Sequence, residues 1–176
     1  MQLTISGRKR TLAASALVAA SAAVLPVTAS PDAHADSCTY RSLTKSDVDA
    51  YGYVGYVEMQ WSDGCHTVRT HFHVDSAFLS GHSGWNVRLG ISGGLNSGGS
   101  SQYSVVSTPY PNNTSYADYY SASAAYNAYP TELFTSWLDW TYNDCSVQWV
   151  TATHDFSNGA NYGNGGAEAF SQGCHT

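Results

Sequence analysis

The chain has 176 residues, of which 11% are charged, and it contains thirteen tyrosines, five tryptophans and four cysteines. Beyond position 35 it carries four lysines and arginines against twelve aspartates and glutamates, so the net charge there is 4 − 12, or about −8. Such a surface repels phosphate backbones and anionic lipids, which excludes nucleic acid and membranes as expected partners. The many aromatic side chains provide area to bury, which argues against a disordered chain.

The N-terminal segment has the order of a secretory signal peptide. Three basic residues at positions 8–10 precede an apolar run from Leu12 to Leu25, and Ala33-His34-Ala35 follows as an A-x-A cleavage site. We therefore expect residues 1–35 to be a signal peptide and residues 36–176, which number 176 − 35 = 141, to form a single secreted, extracellular domain. No later run reaches the roughly 18 apolar residues that a membrane helix needs.

Residues 53–74 are predicted to form a β-hairpin. Asp63-Gly64 is a favoured two-residue turn, and it would align strand 53–61 with strand 66–74. Met59, Val57 and Phe72 then share one apolar face, which is predicted to point to the core. In this register the opposite face pairs Glu58 with Arg69, Tyr56 with His71 and Val54 with His73, while Gly55 lies opposite Phe72 on the inner face.

His71, His73 and Asp75 are a candidate metal-ligand set on this hairpin. Residues two apart on a strand point to the same side, and two imidazoles with a carboxylate can bind zinc. The predicted register directs both histidines away from the core and into solvent, beside Glu58 and Arg69. We therefore expect an ordinary polar surface with no metal and no cofactor, and a metal-dependent hydrolase stays as an alternative.

The later elements follow from the same periodicities. Residues 85–92 alternate apolar and polar side chains, as a strand does, and residues 102–107 are predicted to form another strand after a glycine- and serine-rich loop over 93–101. Residues 109–113 are predicted to be irregular. The segments 116–129 and 131–140 fit either a strand or a short helix, because alternation competes with alanine content in the first and helical spacing appears in the second.

The four cysteines predict two disulfides, because an exported chain with an even number of cysteines typically pairs all of them, and three pairings are possible. Cys65 and Cys145 each precede an aspartate by ten residues, and each has a second cysteine 27 or 29 residues away. This internal echo predicts the pairs Cys38–Cys65 and Cys145–Cys174, and it allows two similar halves.

Residues 110–129 hold six of the thirteen tyrosines, interleaved with serine, asparagine and alanine. Antibody binding loops use the same residues, because tyrosine supplies rigid amphipathic area and serine supplies adaptable hydrogen bonds. The alternative is that these rings pack over the sheet with their hydroxyls at its rim. The predicted binding residues are Tyr110, Tyr116, Tyr119, Tyr120, Tyr126 and Tyr129.

Two further patterns bear on catalysis. His154-Asp155-Phe156 resembles the His-Asp step of bacterial secreted phospholipases A2 over these three residues, and the alternative is the end of a strand followed by a polar turn. Gly81-His82-Ser83-Gly84 does not form a G-x-S-x-G motif, and the predicted disulfides leave no thiolate nucleophile. We expect no enzymatic activity.

The hairpin sequence GYVEMQWSDGCHTVRTHFHV, residues 55–74, resembles small secreted disulfide-containing β proteins of actinobacteria. More loosely, it resembles the first disulfide hairpin of the tendamistat-like α-amylase inhibitors. The Trp-Arg-Tyr binding triplet of those inhibitors has no counterpart here. The resemblance implies a small, exported, disulfide-held β protein that acts by binding.

The expected fold is mainly β, an antiparallel β-sandwich stapled by two disulfides, with room for two similar halves and one short helix. The expected function is protein binding, as an inhibitor of an extracellular enzyme or as an accessory subunit of a secreted, toxin-like assembly. An acidic surface favours a basic extracellular partner. The remaining alternative is a carbohydrate-binding module that stacks sugars on Trp137, Trp140 and Trp149, which would make a polysaccharide the partner.

Overall fold

A computed structural model of the chain describes residues 38–93, 103–114, 116–127, 132–171 and 173–174. Within these ranges the protein is mainly β, with two antiparallel sheets packed as a sandwich and a short helix, which confirms the predicted fold class. The predicted signal peptide lies outside the described residues. The elements are β1 (Arg41–Asp49), β2 (Tyr53–Ser62), β3 (Thr67–Val74), α1 (Ser76–Gly81), β4 (Trp85–Gly93), β5 (Tyr103–Thr114), β6 (Asp118–Tyr120), β7 (Ala124–Ala125), β8 (Leu133–Tyr142), β9 (Cys145–Val150), β10 (Thr153–Asp155), β11 (Asn161–Tyr162) and β12 (Gly166–Phe170).

The first sheet has the order β1-β2-β3-β6, and β7 also pairs with β3. The second sheet has the order β11-β10-β8-β4-β5, with β9 paired to β8 and β12 paired to β9. All the strand pairs are antiparallel. The short strand β6 extends the first sheet next to β3, although 44 residues separate Val74 from Asp118 in the chain (118 − 74 = 44).

The β2–β3 hairpin confirms the predicted faces but not the predicted turn. Four residues, 63–66, connect the strands instead of two, and His66 adopts a left-handed φ of 53°. Strand partners therefore move by two positions, so that Glu58 lies opposite His71 rather than Arg69, and Gly55 lies opposite Val74. Because the shift is even, each side chain keeps the face that the sequence predicted.

Tyr53 was predicted on the inner face but is 46% exposed. Val54 is a second exception to those faces. It was expected on the outer face opposite His73, but it is fully buried in the core. The pairing of β1 with β2 passes directly from Val48–Gly55 to Asp49–Tyr53, so Val54 is the extra residue of a bulge. His73 lies opposite Tyr56 instead.

The later segments are strands. β4 shows the predicted alternation of buried and exposed residues from Trp85 to Leu89, whereas Gly90 to Gly93 are all buried. β5 continues through the stretch 109–113 that was expected to be irregular. Pro109 is tolerated there because β5 is an edge strand. Segment 116–129 contains β6 and β7, and segment 131–140 contains most of β8. Of the predicted loop 93–101, Gly93 ends β4 and the rest lies outside the described residues.

The space between the sheets is filled by two apolar clusters. The larger one includes Phe72, Trp85, Leu138 and Trp140, all fully buried. The smaller one includes Met59, Trp61, Ile91 and Phe134. Polar contacts also join the sheets: Thr70 Oγ1 donates to Gly90 O at 2.6 Å and lies 2.8 Å from Ser136 Oγ.

Both predicted disulfides are present, Cys38–Cys65 and Cys145–Cys174. Cys65 lies in the turn before β3, and Cys145 begins β9 directly after a turn in which Asn143 has a φ of 52°. The internal echo is therefore a pair of similar hairpins, β2–β3 and β8–β9. The halves do not form separate units, because β4 from the first half lies between β5 and β8 of the second.

The short helix α1 was not located by the sequence. Asp75 caps its N-terminus, with its side chain accepting a hydrogen bond from Ala77 N at 2.8 Å. None of the helices in the described ranges is long and apolar enough to cross a bilayer.

Candidate functional site

The outer face of the first sheet carries a dense group of aromatic, histidine and charged side chains. Alternation along β2 and β3 sends the apolar residues inward and the polar ones outward. Register then sets His71 between Glu58 on β2 and Tyr120 on β6, and His73 opposite Asp118. We call this surface the tyrosine–histidine face, and it comprises Tyr40, Tyr56, Glu58, Gln60, Arg69, His71, His73, Asp118 and Tyr120.

His71 lies at the centre of a hydrogen-bond network with two carboxylates. Its Nδ1 is 2.8 Å from Glu58 Oε1, and its Nε2 is 2.8 Å from Asp118 Oδ1. The same Asp118 oxygen is 2.9 Å from His73 Nδ1. Gln60 Nε2 donates to Glu58 Oε1 at 2.6 Å, and Arg69 Nε donates to Gln60 Oε1 at 2.9 Å.

The carboxylates in this network are held in their ionised form. Burial of Glu58 acts to raise its pKa, but hydrogen bonds from His71, Gln60 and Ser42 outweigh that effect and bring the pKa to about 2. Burial likewise acts to raise the pKa of Asp118, and hydrogen bonds from His73 and His71 lower it overall. Negative charge is therefore fixed on both sides of His71.

Stacked rings brace the tyrosine–histidine face. The Tyr120 ring lies 4.6 Å from the His71 ring with an interplanar angle of 10°. The Arg69 guanidinium lies between two rings, 3.8 Å from Tyr40 and 4.2 Å from Tyr120. At the other end, Tyr56 lies 5.1 Å from the His73 ring. Such stacking restricts the side chains before any ligand arrives.

The predicted metal-ligand set is only partly brought together. His71 and His73 share the outer face as expected, but Asp75 caps α1, and Asp118 takes the place beside the two imidazoles. His71 is also not in solvent, because Tyr120 and Asp118 cover it and leave 6% of the residue exposed. The sequence offered no signal for Asp118, because a three-residue strand cannot be matched to its partner from its pattern alone.

The predicted tyrosine surface divides into buried and exposed residues. Tyr116 and Tyr120 are exposed at 68% and 37%, and Tyr110 and Tyr126 are half-buried. Tyr119 is wrong as a surface residue, because it is 1% exposed and packs in the core, where its hydroxyl accepts a hydrogen bond from Trp85 Nε1 at 2.9 Å. Tyr129 lies outside the described residues.

The second sheet has an open groove of about 770 Å³ on its outer face. Arg88 and Asp139 form an ion pair that lines this groove. Both residues also line a second depression of about 470 Å³, which includes Trp137. Gly90 makes room for Trp137, because a Cβ atom at Gly90 would lie 2.2 Å from the indole ring.

Of the predicted sugar-stacking set, Trp137 lines the second depression, although only 7% of the residue is exposed. Trp140 is wrong as a surface platform, because it is fully buried in the larger core cluster. Trp149 is wrong for the same reason: it belongs to that cluster, and its Nε1 donates to Ser46 Oγ at 2.9 Å.

The His154-Asp155 pair ends a strand and begins a polar turn, as the alternative to the phospholipase-like interpretation predicted. His154 Nδ1 lies 2.7 Å from Asn161 Oδ1 on the neighbouring strand. The Asp155 carboxylate accepts hydrogen bonds from Ser157 N, Ser157 Oγ and Asn158 Nδ2 at 2.6–2.9 Å.

Comparison with known proteins finds no matching family model, no matching curated protein and no matching solved structure. Inferences about function therefore come from the geometry of the chain itself. The two disulfides are typical of extracellular proteins.

Proposed function

We propose that the chain is a secreted, non-enzymatic binding module whose tyrosine–histidine face docks a partner protein. The docked partner is an extracellular enzyme that the module inhibits, or another subunit of a secreted, toxin-like assembly. The observation that carries the proposal is the Arg69 guanidinium held between the rings of Tyr40 and Tyr120 on an outer sheet face.

The composition of this face supports a protein partner. Tyrosine and arginine are the residues most enriched at the energetic centres of protein interfaces, along with tryptophan. A tyrosine ring offers a large contact area with few rotatable bonds, and the stacking on His71 restricts Tyr120 further. Association therefore costs little side-chain entropy at this point of the surface.

The charge around the face supports a basic partner. Burial raises the pKa of Tyr53, and the carboxylates of Asp47, Asp75 and Asp49 raise it further. Acidic groups therefore surround Tyr53, the first residue of β2. The region after position 35 carries about −8 in all. A partner with a basic patch would be attracted at long range, and its association would slow as salt is added.

Capture of a partner from the culture medium of the secreting organism tests this proposal. The immobilised wild type is compared with Tyr120→Ala and Arg69→Ala, and with Tyr162→Ala as the matched control, since Tyr162 is exposed at 41% on the other sheet. We expect a partner identified by mass spectrometry to be lost with the first two variants and retained with the control. Equal capture by all four proteins would contradict docking through this face.

A second candidate function is carbohydrate binding in the groove of the second sheet. The groove supplies hydrogen-bonding groups from Arg88, Asp139 and Gln148, and the second depression adds the edge of the Trp137 indole. This mixture of aromatic and polar groups is typical of ligand sites. Retention of the wild type and Tyr120→Ala on insoluble polysaccharide, with loss in Arg88→Ala and Gln148→Ala, would support this function over protein docking.

A further inference from the structure

His71 lies between two carboxylate groups. Both of its ring nitrogens lie 2.8 Å from a carboxylate oxygen, and a neutral imidazole carries a proton on one nitrogen only. In either neutral tautomer a nitrogen lone pair would therefore face an anionic oxygen at hydrogen-bond distance. A metal ion between the ring and one of the two carboxylates would remove this unfavourable contact.

The Asp118 side of the ring is the side suited to a metal ion. There, ligand atoms of His71, His73 and Asp118 all lie within 4.8 Å of one another. On the Glu58 side, the Gln60 amide nitrogen lies 2.6 Å from the carboxylate and 3.2 Å from His71 Nδ1, and an N–H donor in that position repels a cation.

Glu58 has the position of an outer-shell carboxylate. Histidine ligands of metals commonly donate their other N–H to a carboxylate, which fixes the tautomer and the orientation of the ring. With the Nδ1 proton donated to Glu58, the Nε2 lone pair of His71 faces Asp118. Gln60 and Ser42 hold Glu58 in place by hydrogen bonds of their own.

The donor atoms select the class of metal. Two imidazole nitrogens and one carboxylate suit zinc and similar first-row divalent ions, whereas calcium and magnesium prefer sets made of oxygens only. The His73 and Asp118 side chains are 35% and 43% exposed, so a fourth position would be open to water or to a ligand. Ligand atoms around a tetrahedral zinc ion lie roughly 3.3 Å apart, so small side-chain rotations would admit the ion.

We propose that His71 Nε2, His73 Nδ1 and the Asp118 carboxylate bind one divalent transition-metal ion of the zinc type, with Glu58 as the outer carboxylate and a fourth position open. The ion links β3 to β6, which are joined otherwise by a three-residue ladder. This site needs no protein partner, so its failure would leave the docking proposal standing, and the reverse also holds.

Calorimetric titration of the EDTA-treated chain with zinc chloride tests the site. We expect one zinc ion per chain for the wild type and loss of that binding in His73→Ala and Asp118→Asn. Glu58→Gln should bind about 10- to 100-fold more weakly, as removal of outer-shell partners typically does. Asp75→Asn is the matched acidic control, because asparagine also caps helices and Asp75 was the carboxylate that the sequence favoured.

His66→Asn is the matched histidine control. His66 is exposed on the same hairpin and has a left-handed φ that asparagine tolerates well. Both control variants should bind zinc like the wild type. Stoichiometric binding that survives in Asp118→Asn, or an equal loss in the controls, would overturn the assignment.

A zinc titration of the wild type, followed by the NMR signals of its imidazole groups, provides a test that does not depend on whether the variants fold. Zinc should shift the signals of His71 and His73 at one equivalent and leave those of His66 and His82 in place. If the His71 and His73 signals do not move with zinc at millimolar concentration, the proposal is wrong.

Discussion

Tyr119 and Tyr120 are adjacent in the chain and have opposite environments. The side chains of successive strand residues point to opposite faces, so Tyr119 enters the core while Tyr120 stacks on His71. Composition treats the two residues alike, because both belong to the same tyrosine-rich segment. Because β6 pairs with β3, Tyr119 points into the core and Tyr120 points to the outer face.

The Tyr119 hydroxyl should contribute measurably to stability. It accepts hydrogen bonds from Trp85 Nε1 at 2.9 Å and from Tyr116 N at 3.0 Å, and Trp85 is fully buried. Tyr119→Phe leaves the buried indole N–H without this acceptor, so we expect a loss of about 1–3 kcal/mol in the free energy of unfolding. Urea denaturation followed by tryptophan fluorescence measures it.

Tyr116→Phe is the control for that exchange, since Tyr116 is 68% exposed. An exposed substitution of this kind typically changes stability by less than about 0.5 kcal/mol. Similar unfolding free energies for the two variants would show that the Tyr119 hydroxyl does not stabilise the core.

At the scale of strands and turns, periodicity was a better guide than turn chemistry. The faces of β2, β3 and β4 could be predicted because a period of two is visible in any half-buried strand. The partners across β2 and β3 could not be predicted, because a four-residue turn replaced the favoured Asp63-Gly64 turn.

β8 shows why the second ambiguous segment resisted assignment. It is a central strand between β4 and the β9 and β10 strands, and most of its residues are buried on both faces. Leu138 and Trp140 pack in the core, whereas Trp137 packs against Gly90. A strand that is largely buried on both faces does not alternate cleanly between apolar and polar residues, so its apolar residues can have helical spacing by chance.

The candidate site depends on a pairing that sequence could not supply. His71 and His73 were found from their i, i+2 spacing, and that spacing is a local property. Asp118 joins them through contacts between residues 45 to 47 positions apart. Asp75 was the nearer carboxylate in sequence, but local hydrogen bonding made it a helix cap instead.

The turn after β10 should make the free energy of unfolding depend on pH. Hydrogen bonds from Ser157 lower the pKa of Asp155 below its ordinary value of 3.8, with Tyr162 and Asn158 adding to the effect. A carboxyl whose pKa is lower in the folded state stabilises the protein above its ordinary pKa, and that contribution is lost as the pH falls through the lowered value. We therefore expect the wild type to exceed Asp155→Asn in stability at neutral pH and to lose this advantage as the pH falls below 3.8.

Thermal unfolding of both proteins over a series of pH values measures this difference. Asp47→Asn controls for the general effect of removing one negative charge from an acidic chain, because Asp47 is an exposed residue of β1. A stability difference between the wild type and Asp155→Asn that persists unchanged into strong acid would rule out the ionised carboxylate as its source.

On the scale of the whole molecule, each disulfide reinforces one sheet. Cys38–Cys65 ties the segment before β1 to the β2–β3 turn, and Cys145–Cys174 ties the start of β9 to the segment after β12. Among the described residues, the sheets are joined to each other by the core and by contacts such as Trp85 with Tyr119. Each sheet thus has its own disulfide, and neither disulfide joins one sheet to the other.

From this arrangement we expect removal of the two disulfides to lower the free energy of unfolding by unequal amounts. We also expect the two losses to add. Their sequence separations of 27 and 29 residues are nearly equal, so loop-closure entropy assigns each a similar contribution, between about 3 and 4 kcal/mol. Cys145, however, is fully buried in the larger core cluster, whereas Cys38 and Cys65 are half-buried. Replacing Cys145 and Cys174 by alanine should therefore cost more than replacing the other pair, because it also removes packing contacts from the core.

Urea denaturation of the two double variants and of the quadruple variant measures these free energies. Because the disulfides lie in different sheets, we expect the quadruple variant to lose the sum of the two separate losses to within about 0.5 kcal/mol. The fully reduced wild type controls for effects of the alanine substitutions themselves. Its free energy of unfolding should match that of the quadruple variant, apart from the contribution of the buried sulfur atoms. A larger loss from the Cys38–Cys65 pair would show that the first sheet, which carries the tyrosine–histidine face, is the one that depends more on its staple.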